Sequence, residues 1–539
     1  MAHCSNPRSR FSQSLLTIGF ALAISAPLVL QISGDDGGDR IENREKRTAS
    51  SAPDLPRDLK SWASYPKQVE GWYGERFGMR DQLLWTYHWI KLVLFERSPT
   101  ERIVIGPNRW LFSDSYRALQ SNRGGMPFSA EDLASWREAL LARKNWLAER
   151  GIDYALVLVP GKAAVYPEEL PARFEQRAPS RREQFLAEMQ REPDLLVVDL
   201  ISPFIAGKTH DTPEDHVFYP LGLHWTPRGA MIGNEAIMSA LADRHRRITP
   251  GLRERTRSAP VGGGDDFSQR FLVPGLFEQK ELSLSAGYQS RSHLQKTLVP
   301  ERDYGVRAWL HQDQSLTRLL ILRDSFGNML APHLAEHFAL MHDVPTLNFS
   351  PALVESLRPD IVIELFAEHT FSYQIPHVQH ILGMADLEDQ FASAETVLLP
   401  STHEKGEARV ASHRGTVIQL GPQGVRVQSD GSATVLLPEF AWHAEALSIL
   451  KLDITAPEYT HLTLYYPIPG PNQYRLKQAP PSINRYRVKQ SSLIPLAPGR
   501  QTVYVALAPP RMAGPIAIMP GNAPGEYIIH DLEARAATR

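Results

Sequence analysis

The chain has 539 residues, a formal net charge of −2, 42% hydrophobic and 22% charged residues. That composition excludes wholesale disorder and a multi-span membrane protein, and it leaves no basic surplus to neutralise phosphates, so nucleic acid is not an expected partner. At about 150 residues per domain, the length predicts two to four domains.

Residues 1–13 form a short tail in which Arg8 and Arg10 precede an uncharged run from Leu15 to Ile32, followed by Asp35, Asp36 and Asp39. Basic, then apolar, then acidic is the layout of an export signal whose basic end stays in the cytoplasm. The run is long enough to cross a hydrocarbon core. Its only plausible small-x-small site, Ile24-Ser25-Ala26, is followed by Pro27, which disfavours cleavage. The expectation is therefore an uncleaved anchor over residues 14–33, with cleavage and release as the alternative. Either way residues 34–539 lie outside the cytoplasm. The single cysteine, Cys4, precedes the run, so the exported part has no disulfide, zinc-thiolate site or cysteine nucleophile.

Residues 34–99 read as a polar, Pro-containing linker followed by a helical segment. Leu83, Tyr87, Ile90 and Leu94 share one helical face, and Pro99 closes the pattern. A second helix is delimited by Ser129 and Asp132, which resemble a capping box, and by Gly151 in the C-capping place. Its inner face is Leu133, Trp136, Leu140 and Leu147. Apolar runs at 154–159, 195–200, 319–322 and 361–365 have the texture of strands buried on both faces, separated by helical segments. They predict a doubly wound α/β domain over 100–395, with functional residues at the carboxyl ends of its strands. From 396 to 539, short β-branched and aromatic runs between Pro/Gly turns predict an all-β sandwich.

Two segments carry chemistry. The strand 319–322 delivers Asp324-Ser325 into a turn before a helix, where a serine hydroxyl is exposed at the sheet's edge near backbone N–H groups suited to an oxyanion. His224, in Leu223-His224-Trp225-Thr226-Pro227, has the imidazole that would take the serine's proton near neutral pH. Taken singly, each has a plain structural reading: a helix-capping turn serine and a core histidine beside a tryptophan.

The joint pattern is more specific. Glu42-Asn43-Arg44, Arg76-Phe77-Gly78-Met79-Arg80, Ile105 to Phe112 (IGPNRWLF), His224 to Ala230 (HWTPRGA), Asp324-Ser325-Phe326 and Arg358-Pro359-Asp360 occur in an order and spacing that resemble the SGNH-hydrolase-like family of polysaccharide O-acetylating proteins of Gram-negative bacteria, alginate acetyltransferases among them. The resemblance implies Ser325 as nucleophile and His224 as its base. It also implies a periplasmic protein held at the inner membrane, a polysaccharide substrate, no cofactor, and an integral-membrane acyltransferase as acetyl-donating partner. Two positions depart from the family pattern. Gly222 stands where the family has its triad aspartate, and Arg323 where it usually has glycine. Asp215, Asp211, Glu364, Glu368 and Asp324 are the acids near these segments that would replace or support the missing carboxylate, whose loss costs on the order of 10⁴ in rate if nothing fills its place. Arg323, Asn328 and Trp225 are the expected substrate contacts, Arg323 either binding an anionic sugar or forming an ion pair on the rim.

His333-Leu334-Ala335-Glu336-His337 has zinc-ligand spacing, but surface histidines on the helix after Ser325 account for it, and no metal is expected. In the sandwich, Trp442, Tyr465, Tyr466 and Tyr474 would either stack sugars or, in the main, fill the core. The segment 521–533 resembles the last strand of the jelly-roll modules appended to glycan enzymes. The expected function is O-acetylation of an exported polysaccharide. The alternatives are a non-catalytic glycan-binding or scaffold subunit of an export complex and a carbohydrate O-acetylesterase.

Overall fold

The structure is a computed structural model. It describes residues 16–21, 25–27, 29, 52–56, 58–208, 216–243, 256–261, 281–286, 290–297, 306–372, 381–401, 411–412, 417–421, 424–431, 433–437, 447–467, 486–507 and 516–537. Among the described residues no helix is long and apolar enough to cross a membrane, and half of the expected anchor lies outside them.

The chain divides into two compact units. In the smaller, helix α1 (Leu59–Arg76) and helix α2 (Arg80–Trp89) meet at Met79, whose φ of 62° is left-handed. A π-helical turn over Ile90–Leu94 extends α2. The predicted face is α-helical only up to Trp89, and Leu83, Tyr87 and Leu94 on it are exposed.

The larger unit contains the α/β region. Helix α3 (Ala130–Ala148) is capped as its sequence predicts: Ser129 Oγ accepts from the Asp132 N–H and Asp132 Oδ2 from the Ser129 N–H. Trp136, Leu140 and Leu147 are buried against the sheet, and Gly151, at φ 68°, turns the chain into the first strand. The central elements are β1 (Asp153–Val159), α4 (Arg181–Met189), β2 (Leu196–Asp199), α5 (Ile201–Gly207), α6 (Pro227–Ala242), β3 (Ser292–Thr297), β4 (Arg307–His311), β5 (Arg318–Arg323), α7 (Gly327–Leu334), β6 (Leu340–Val344), α8 (Pro351–Leu357) and β7 (Ile361–Ala367). Seven strands form one sheet in the order β2-β1-β7-β5-β6-β4-β3. The first five run parallel, and β4 and β3 add an antiparallel edge. Every residue of β7 is buried, as are Leu319 to Arg323 of β5, which explains their largely apolar texture, broken by the ion-paired Glu364 and Arg323. The motif Arg358-Pro359-Asp360 serves the opposite end of the sheet from the expected site. Asp360 joins the starts of three strands, its carboxylate accepting from the Arg318 N–H at 2.7 Å and its carbonyl from the Asp153 N–H at 3.0 Å.

Beyond helix α9 (Met384–Ser393), the chain forms the expected β region, a six-stranded and a five-stranded sheet of antiparallel strands around a shared apolar core. Its last strand, Pro524–Ala537, is central rather than peripheral, pairing with Gly424–Asp430 on one side and Leu447–Ala456 on the other.

Candidate active site

The site forms where β5 ends. Asp324 leaves the strand with its N–H on the Leu365 carbonyl, and its carboxylate ties two backbone donors: Oδ1 accepts from the Phe326 N–H at 2.9 Å and Oδ2 from the Ala367 N–H at 2.8 Å. Anchoring a turn to the neighbouring strand in this way fixes Ser325 at the carboxyl edge of the sheet, where α/β folds open their crevice. Gly327 follows because α7 passes directly over the Arg323 side chain. A Cβ there would lie 2.5 Å from Arg323 Cδ.

His224 arrives from a different loop. Phe218 and Trp225 form an isolated antiparallel bridge, closed further by Tyr219 N–H to the His224 carbonyl and Thr226 N–H to the Val217 carbonyl. Thr226 then caps α6, its Oγ1 accepting from the Gly229 N–H, with Pro227 in the first turn. Gly229 lies so close to this loop that a Cβ would meet the Val217 carbonyl at 2.3 Å. The two segments interlock through the residues after His224 and Ser325: Trp225 and Phe326 are both buried, with ring centroids 5.5 Å apart, and the His224 ring lies 4.9 Å from Phe326. The result is a contact of 2.9 Å between His224 Nε2 and Ser325 Oγ, across 101 residues of sequence. This is nucleophile–base geometry, with Nε2 the acceptor when the imidazole is neutral and protonated on Nδ1.

The expected acids occupy distinct places. Glu364, mid-strand in β7, pairs with Arg143 at 2.7 Å and accepts from the Tyr154 hydroxyl at 2.9 Å. Burial together with the Glu364 charge pushes that hydroxyl well above its ordinary pKa. Glu368, just beyond β7, accepts from the Gly161 N–H at 2.8 Å and faces Arg182 at 3.7 Å; burial raises its pKa against the pull of Arg182. Asp324 holds the serine turn as described, a supporting role rather than one on the imidazole. Asp211 and Asp215 lie outside the described residues.

The three expected substrate contacts diverge. Arg323 is 2% exposed and its ion pair lies in the core, not on the rim: Nε donates to Asp343 Oδ1 at 2.6 Å, while Arg307 Nε donates to the other oxygen at 2.7 Å. Trp225 is fully buried, enclosed by Phe204 and Phe326, which places it in the core behind His224. Asn328 is exposed in the first turn of α7, beside Ser325, with Oδ1 accepting from Arg307 at 3.3 Å.

The histidines of His333-x-x-Glu336-His337 are half-buried rather than on the surface, and α7 gives way to a 3₁₀ turn at Ala335, so they do not share one α-helical face. Burial lowers the pKa of both, that of His337 to about 4. Burial opposes ionisation of Glu336, but donors from Ser290, Arg291 and Ser292 outweigh it and hold the carboxyl below its ordinary pKa. No group of three metal-binding side chains occurs among the described residues. In the sandwich, Tyr465 is half-buried with its hydroxyl 4.0 Å from Met519 Sδ, Tyr466 lies in strand Thr460–Pro467, and Trp442 and Tyr474 lie outside the described residues.

One residue of this region escapes sequence reasoning. Lys162, directly after β1 and Pro160-Gly161, is 7% exposed and donates from Nζ to three carbonyls of the loop before His224: Tyr219 at 2.9 Å, Pro220 at 3.1 Å and Gly222 at 2.5 Å. Tyr166, four residues on, accepts from the Val217 N–H at 2.8 Å and holds the other flank. The usable signal was position, since a lysine at the carboxyl end of a buried strand faces the crevice.

A serine turn at a strand end, a histidine loop reaching it from the side, and a parallel sheet beneath define an SGNH hydrolase-like α/β domain, followed here by a region of antiparallel sheets. Residues 103–262 match the family described as the SGNH hydrolase-like domain of acetyltransferase AlgX, a stretch that includes Lys162 and His224 and ends before Ser325. The chain is also 30% identical over 144 residues to a probable alginate O-acetylase AlgJ of Pseudomonas putida; the match covers 26% of this chain and 34% of that protein. Among solved structures, that of Pseudomonas aeruginosa AlgX matches over 82% of this chain and 97% of its own, at 15% identity and a TM-score of 0.41. The O-acetyltransferase domain of Pseudomonas putida AlgJ matches over 50% and 92%, at 20% identity and a TM-score of 0.33.

Proposed function

We propose that this chain transfers acetyl groups to hydroxyls of an exported polysaccharide through Ser325. The observation that carries this reading is the 2.9 Å contact of Ser325 Oγ with His224 Nε2 at the carboxyl edge of the sheet. In the first half-reaction the Ser325 hydroxyl gives its proton to Nε2 as Oγ attacks the donor's acetyl carbonyl, and that proton passes to the departing donor oxygen. In the second, a sugar hydroxyl gives its proton to Nε2 and attacks acetyl-Ser325, and Ser325 Oγ regains the proton as it leaves. The imidazole ends each half-reaction neutral, so one base serves both.

The site belongs, in this reading, to the periplasm. The run from Leu15 to Ile32 holds the chain at the inner membrane, where an integral-membrane acyltransferase supplies the acetyl group in place of cytoplasmic acetyl-CoA. Tethering donor and acceptor modules to one surface raises their effective concentration. The names of the curated relatives support an acidic polysaccharide such as alginate as acceptor.

The test incubates the full-length chain with an activated acetyl ester, with and without oligosaccharide, alongside Ser325→Ala. Turnover that requires Ser325 and rises with sugar supports acetyl transfer. Ser325-dependent acetate release indifferent to sugar would make the chain an esterase instead. Equal turnover by Ser325→Ala would make the α/β domain a non-catalytic glycan-binding or scaffold unit.

A further inference from the structure

A triad carboxylate does two things: it holds the imidazole in place and it stabilises the imidazolium that forms. Position 222, where the family pattern has that acid, is glycine, and a glycine has no side chain with which to do either. The loop nevertheless has a charged fastening at this very residue. Lys162 Nζ lies 2.5 Å from the Gly222 carbonyl, two residues before His224, and also within 3.1 Å of the Tyr219 and Pro220 carbonyls. Three acceptors converging on one buried ammonium use all three of its donors.

The surroundings leave this lysine little freedom. Its side chain is 7% exposed, its ammonium sits 5.1 Å from the centre of the Phe112 ring, and its backbone starts the short helix Lys162–Val165. The Gly161 N–H just before it is fixed by Glu368, and Tyr166 just after that helix grips Val217 on the far flank of the same loop. A chain of contacts therefore runs from the end of β7, through Glu368, Gly161 and Lys162, to the backbone that carries His224. Ser325 is tied to the end of β7 as well, through Asp324 and Ala367. Both reactive side chains are thus referenced to one strand end.

We propose that Lys162 is a positioning residue of His224, acting through the backbone of residues 219–222, whose carbonyls its ammonium holds. The role rests on the acyl-transfer reading of the Ser325–His224 pair. It differs from general stabilisation in what it predicts: loosening the loop displaces the base relative to the nucleophile, and a displacement near 1 Å costs about 10²-fold in rate. Binding of the acyl donor is expected to be unchanged.

The test compares full-length wild type, Lys162→Met, Lys162→Arg and Ser325→Ala with p-nitrophenyl acetate as donor, with melting temperature measured on each. Lys162→Met keeps the apolar stem and removes the donors. It is expected to lose about 10²-fold in kcat with KM within about twofold of wild type. Lys162→Arg keeps the charge but spreads its donors over a planar fork that cannot converge on three carbonyls, so it is expected to fold and to fall between the two. If Lys162→Met does not fold, Lys162→Arg decides. Wild-type kcat in every folded variant, or a loss that appears in KM alone, overturns the positioning role. Undiminished turnover by Ser325→Ala overturns the acyl-transfer reading itself, and the role of Lys162 with it.

Discussion

Asp343 is a fully buried charge paired with the arginine just before the Asp324-Ser325 turn, and Asp343→Asn isolates it. The residue is fully buried on β6, with Arg323 Nε at 2.6 Å on one oxygen and Arg307 Nε at 2.7 Å on the other. Arg323 itself is 1% exposed at the side chain, so its guanidinium has no route to water, whereas Arg307 at 21% has some. The amide keeps the shape of the carboxylate and removes its charge, leaving Arg323 buried without a counter-ion. Breaking a buried pair by deleting one partner costs about 3–5 kcal/mol, against at most about 1 kcal/mol for an exposed pair. The cost is read as a shift in urea midpoint at unchanged m-value. The double variant Arg323→Met, Asp343→Leu, which removes both buried charges, should recover most of the loss, since apolar replacement of a buried pair is often neutral. A loss below about 1 kcal/mol in Asp343→Asn, or a double variant no better than the single, would refute the reasoning.

Two further expectations concern packing and pH. At Gly327 two effects oppose each other: alanine is the better helix former by up to about 1 kcal/mol, but its Cβ would meet Arg323 Cδ at 2.5 Å. Overpacking costs about 1–3 kcal/mol, so Gly327→Ala should destabilise, and a raised melting temperature would show that the Arg323 stem gives way freely. His461, 5% exposed in the sandwich, has its pKa lowered to about 4 by burial and by His342. The folded protein keeps it neutral while the unfolded chain takes up a proton below its ordinary value. Its contribution is therefore complete above pH about 6.5 and is lost as pH falls through about 4. His461→Gln should flatten the fall in urea midpoint across that window; an unchanged slope would exclude His461 as its source.

The sequence made the parallel core legible because strands covered on both faces leave mostly apolar runs, unbroken at 319–322 and interrupted by Glu364 alone at 361–365. The α3 cap was legible because Ser129 and Asp132 act within four residues of each other. Strand β6, Leu340-Met341-His342-Asp343-Val344, was not. A strand with a buried aspartate reads as a loop until Arg323 and Arg307 are seen to pair with it. The same hidden partner explains why Arg323 seemed a rim residue, and the interlock with Phe326 explains why Trp225 seemed a substrate contact. Ser325 and His224 stand out through short motifs, but the loop that carries His224 is held by a group with no motif at all: Lys162 bonds residues 57 to 60 positions away. Buried side chains that bind backbone carbonyls leave no periodicity to read.

Acetyl transfer through Ser325 passes through a covalent ester, which rapid acid quench of the full-length chain mixed with an activated acetyl ester, followed by peptide mass spectrometry, would trap. One acetyl group is expected on the peptide containing Ser325, formed slowly or not at all in His224→Ala and discharged when oligosaccharide is added. Turnover with no acetyl on Ser325, or labelling undiminished in His224→Ala, would contradict that route.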